Sequence, residues 1–151
     1  MKVTLLLRHD HELLRGLMDR YRNAGSSEQS RRHLLQEIRH ELQTHALLAA
    51  ETLYSALAAT PSDRAVELVE NAQERAQAVE SLTTELSRMS PSDRHFDSKM
   101  NTLFAEIEWL IEEEEERIFQ EARKTLPEYR LEELGLEMQH RREMLRMLAV
   151  V

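Results

Sequence analysis

Thr60-Pro61-Ser62-Asp63 and Ser90-Pro91-Ser92-Asp93 bracket a stretch that contains neither glycine nor proline. Each bracket is a stop followed by a start. Proline cannot continue a helix, and a serine followed by an acid caps the next one. Between them Val66, Val69, Ala72, Ala76, Val79, Leu82, Leu86 and Met89 recur every three or four residues, the spacing of one helix face. The spacing predicts a helix over about 62–89.

The same reading extends outward. Toward the N-terminus, a helix over about 3–23 ends at Asn23-Ala24-Gly25-Ser26-Ser27, where Gly25 can stop one helix and Ser26 or Ser27 can cap the next. The second helix then runs to about Ala59. Toward the C-terminus, 94–98 reads as loop, and a fourth helix reaches about Thr125. Leu126-Pro127-Glu128 closes it. A last segment, 128–148, reads as helical but interrupted at Gly135. Only 3 Gly and 3 Pro occur in 151 residues, strong helix formers dominate, and β-branched residues are too scattered for strands. Helices of this length with short connections lie antiparallel. The expected fold is all-α: an up-down antiparallel four-helix bundle with a short C-terminal helical tail, in a single domain over 1–151.

Composition excludes several functions. With 20 basic and 28 acidic side chains the net charge is −8, against the basic surface that nucleic acid requires. No apolar run approaches the ~20 residues of a membrane span, and the opening residues are too short for a signal peptide. No nucleic-acid partner and no membrane are expected, and the reading places the protein in the cytoplasm. The absence of cysteine removes disulfides, thiolate chemistry and Cys-type metal sites. Any metal must use His, carboxylate and water.

The other apolar stripes carry polar residues at mid-helix. The first runs Leu7, His11, Leu14, Met18, Tyr21. The second includes Ile38, Leu42 or Glu41, His45, Leu48, Leu53 and Ala56. The fourth includes Leu103, Ile107, Leu110, Glu114 and Ile118. A buried ionisable group needs a partner. His11, His45 and Glu114 are therefore the candidate site if the helices align. By themselves they read either as a hydrogen-bonded core cluster or as metal ligands. Glu114 lies within a run of five glutamates, 112–116, one of which must face inward in any helix. His9 and His40 fall off the stripes, and His33, His95 and His140 fall near helix ends or loops.

Leu6-Leu7-Arg8-His9-Asp10-His11-Glu12-Leu13-Leu14-Arg15 resembles the opening of hemerythrin-like, HHE cation-binding domains. The resemblance continues through Glu41 to His45, Tyr54 to Leu57, Leu86 to Asp97, Glu112 to Lys124, and Leu131 to Arg142. It implies that His11, His45 and Glu114 stand at metal-ligand positions of a di-iron site. It also implies that three further ligand positions fall on Ala49, Ala76 and Leu110, none of which can bind metal. These replacements are expected to fill the space that a second iron would occupy.

The resemblance thus implies a hemerythrin-like module that has lost its di-iron centre. The favoured reading is a non-enzymatic binding, sensory or structural protein with no cofactor. The alternative is a mononuclear metal-binding protein (Fe, Zn or Mn) using the two-His-one-Glu set. The apolar tail, with Met138, Met144, Leu145, Met147, Leu148, Ala149, Val150 and Val151, reads either as a cap on its own bundle or as a homodimer contact.

Overall fold

The computed structural model describes residues 1–25 and 27–150, the last by its backbone only. Ser26, one of the two candidate caps, lies outside them, as do the side chain of Val150 and all of Val151. Among the described residues the chain is helical throughout, without strands. Helix α1 is Val3–Arg22. Helix α2 runs Glu28–Ala49, passes through a π-helical turn at Ala50–Tyr54 and resumes at Ser55–Ala58. Helix α3 is Asp63–Arg88. Helix α4 runs Phe96–Glu113, passes through a second π-turn at Glu114–Ile118 and ends as Phe119–Thr125. Helix α5 is Glu128–Val150.

The breaks follow local chemistry. Gly25 has φ of 71°, a left-handed conformation that glycine adopts without a side-chain clash. The Ser27 and Ser62 hydroxyls accept from the backbone N–H of Ser30 and Ala65, at 3.3 and 3.1 Å. Such caps contribute about 1 kcal/mol each. The second Ser-Pro-Ser-Asp stretch behaves differently from the first. Its Asp93 accepts from the His95 N–H at 2.8 Å, and α4 begins at Phe96, inside the segment expected to be loop. Phe96 is buried, so packing draws the helix start forward.

One further expectation is corrected. The C-terminal helical tail is present where expected but is not interrupted at Gly135: α5 is continuous over 23 residues. Gly135 serves a close approach instead. A Cβ built there would lie 1.9 Å from the Met1 carbonyl oxygen, so any side chain would collide with the N-terminal backbone. Leu131, Leu134 and Met138 bury their side chains against the bundle, and Leu145 packs partly on it. Met144, Met147 and Leu148 remain exposed.

Helix α1 packs along α2 and α5, α2 on α3, and α3 on α4. The apolar stripes close into two clusters. One gathers Leu7, Leu48, Leu53, Leu57, Phe119 and Met138 with their neighbours. The other gathers Met18, Ile38, Leu86, Phe96, Met100 and Ile107 with theirs. Between them along α1, α2 and α4 lie His11, His45 and Glu114, all buried.

Candidate metal centre

The three stripe residues meet. His45 Nε2 lies 2.7 Å from Glu114 Oε1, and His11 Nε2 lies 3.4 Å from the same oxygen. One ligand atom from each side chain falls within 4.8 Å of the others, a grouping able to hold a metal ion. The other five histidines, His9, His33, His40, His95 and His140, are exposed, as their off-stripe or terminal positions predicted.

Each imidazole is also held from behind. His45 Nδ1 lies 3.0 Å from Asp10 Oδ2, and His11 Nδ1 lies 2.5 Å from Glu115 Oε2. Asp10 is gripped in turn by Arg142 of α5, whose Nη2 donates to both carboxylate oxygens at 2.9 Å. Phe119 stacks on His11 with ring centroids 5.9 Å apart and planes 9° from parallel. Both rings are thus fixed with Nδ1 on a carboxylate and Nε2 toward Glu114. Carboxylates placed in this way behind metal-binding histidines set the tautomer and orientation.

The charges reinforce one another. Burial opposes a charge on His45, but Glu114 and Asp10 outweigh it and push its pKa up to about 10. Burial likewise opposes ionised Glu114, yet His45 and His11 hold its carboxyl well below the usual range. Asp10 is lowered too, with His45 and Arg142 overcoming its burial. The Glu114 Oε2 atom is buried without a hydrogen-bond partner. Tyr54 lines the same space, and burial and Glu114 together raise its pKa.

Asp10, Glu115 and Arg142 were not among the expected site residues. Asp10 precedes His11 by one residue, about 100° around the helix, which puts it off the α1 stripe and toward α2 and α5. Glu115 stood in a glutamate run where only one inward residue was expected. The π-turn starting at Glu114 changes the local spacing, and both Glu114 and Glu115 reach His11. A period of 3.6 gives no sign of it. Arg142 comes from a helix that no sequence pattern aligns with α1.

The three non-ligating positions, Ala49, Ala76 and Leu110, surround the same place. They do not fill it. They line a cleft of about 340 Å³ that also reaches His45, Tyr54 and Glu114. Alanine is too short to close the gap from either α2 or α3.

No family model matches this sequence, and no curated protein matches it. One solved structure is similar, a hemerythrin HHE cation-binding domain-containing protein from Mycobacterium kansasii. The match has a TM-score of 0.86 at 24% identity and covers 99% of this chain and 90% of that one. The fold is that of a hemerythrin HHE domain, as the sequence motifs implied. Among the described residues no helix is long and apolar enough to cross a membrane.

Proposed function

We propose that this chain is a hemerythrin-like protein that holds a single divalent cation on His11, His45 and Glu114 in place of a di-iron centre. The observation that carries the reading is the convergence of two Nε2 atoms on one Glu114 oxygen, with both Nδ1 atoms already held by carboxylates. Charge supports it. Glu114, Asp10 and Glu115 bring three negative charges and Arg142 one positive. With neutral imidazoles the cluster is two charges short of balance, which a divalent ion would supply. Two histidines and one carboxylate leave coordination positions open, where a bound ion would act as a Lewis acid. Asp10 and Glu115 keep the imidazoles oriented, and Arg142 keeps Asp10 in place. A second metal finds no ligands at Ala49, Ala76 or Leu110.

A metal-free module is the second reading, and one contact favours it. His45 bridges Asp10 and Glu114 at 3.0 and 2.7 Å, which a protonated imidazole satisfies by donating from both nitrogens. Metal analysis after loading with Fe, Zn, Mn or Co separates the two. About one ion per chain, lost in His11→Ala and His45→Ala, is expected. No stoichiometric ion under any loading condition would leave the metal-free module. About two irons per chain, with oxo-bridge absorption, would overturn both.

A further inference from the structure

The cleft beside the site has its own chemistry. Its walls come from two helices that face each other with alanines, Ala46 and Ala49 on α2 against Ala72 and Ala76 on α3. Small side chains at these four positions leave space between the helices, and Val79 and Leu110 complete an apolar lining. The mouth is polar, with Gln43, Gln77 and Glu80. Glu80 is tied there by Gln43 at 2.9 Å and Arg39 at 3.3 Å.

The inner end is formed by Glu114 and Tyr54. Glu114 Oε1 is taken by the histidines, whereas Oε2 is buried and has no partner. The Tyr54 hydroxyl belongs to the same lining. One is an acceptor and the other a donor. Among the described lining residues there is no lysine or arginine, while Glu80 and Glu114 are both acids. An anion would face both of these carboxylates. A cation would find Glu80 already tied to Arg39 and Gln43.

We propose that this cleft binds a small uncharged alcohol, its apolar body between the alanines of α2 and α3 and its hydroxyl between Glu114 and Tyr54. A hydroxyl donates one hydrogen bond and accepts another, so a single group answers both. The alanine walls take the body by burial of apolar surface. The proposal does not rest on a bound metal, because Oε2 and the cleft are present whichever way the histidines are used.

The test is a titration of metal-free protein with benzyl alcohol, followed by NMR of the alanine methyl groups. Saturable binding with shifts at Ala46, Ala49, Ala72 and Ala76 is expected. Tyr54→Phe should weaken benzyl alcohol about tenfold and leave toluene unchanged. Ala76→Leu should remove the binding of both by filling the cleft. Absence of saturable binding, shifts confined to other methyl groups, or toluene binding as tightly as benzyl alcohol would each overturn the proposal. The methyl map of the unaltered protein decides even where Ala76→Leu does not fold. Metal-free protein is used throughout, so failure here and failure to load an ion are separate results.

Discussion

Arg142 holds both oxygens of Asp10 at 2.9 Å, across 132 residues of sequence. The pair explains what the fifth helix contributes. It docks on α1 and delivers a guanidinium to the carboxylate that orients His45. Arg142 is only partly exposed and Asp10 is buried, so the pair is better shielded than a surface ion pair. Arg142→Ala should weaken ion binding about 10–100-fold, the usual consequence of losing a group behind the ligands. Zinc or manganese titration of the two proteins measures it. Unchanged affinity would mean that Asp10 orients His45 without help.

Restoring ligands offers a stronger check. Ala49→Glu, Ala76→His and Leu110→His together place three donors around the cleft that those residues line. The triple variant should bind about two ions per chain, where about one is expected of the unaltered protein. Metal analysis after iron loading reads the difference. An unchanged stoichiometry would argue that the three positions are not placed for a second ion.

Metal-free protein should have a pH window set by the same cluster. The folded pKa of Glu114 is depressed, so its contribution is present above the ordinary carboxyl value of 4.5 and is lost as pH falls below it. The folded pKa of His45 is raised, so its contribution is full below 6.5 and is lost as pH rises toward about 10. Urea unfolding as a function of pH should therefore show greatest stability between these limits. His45→Ala should flatten the alkaline side. An alkaline side that is the same in both proteins would contradict the assignment.

Gly135→Ala tests the role assigned to this glycine. In an ordinary helix interior the change stabilises by about 1 kcal/mol. Here the new Cβ meets the Met1 carbonyl at 1.9 Å. Backbone must shift, and overpacking of this kind costs about 1–3 kcal/mol. The expected outcome is a lower urea midpoint, opposite in sign to the propensity effect. An increase would show that the N-terminal residues move aside freely.

The helices were legible in the sequence because their signals are local. Apolar residues at steps of three and four, Ser62 before Asp63, Gly25 after α1 and Pro127 after α4 act within a few residues. His11, His45 and Glu114 were legible for the same reason, since each interrupts an apolar stripe and all three proved buried. Gly135 misled, because a helix-breaking propensity is also local, whereas the contact that calls for glycine there comes from Met1.

Local signals thus carried the class of fold, the helix boundaries apart from the start of α4, and the three polar residues of the central layer. Only the tertiary structure decided what surrounds them. The two π-turns, the grip of Asp10 and Glu115 on the imidazoles, the reach of Arg142 and the open cleft at Ala49 and Ala76 all depend on how separate helices meet. Periodicity fixes which way a residue faces on its own helix. It carries no information about the height, rotation and spacing of the neighbour it faces, and those set the chemistry of the site.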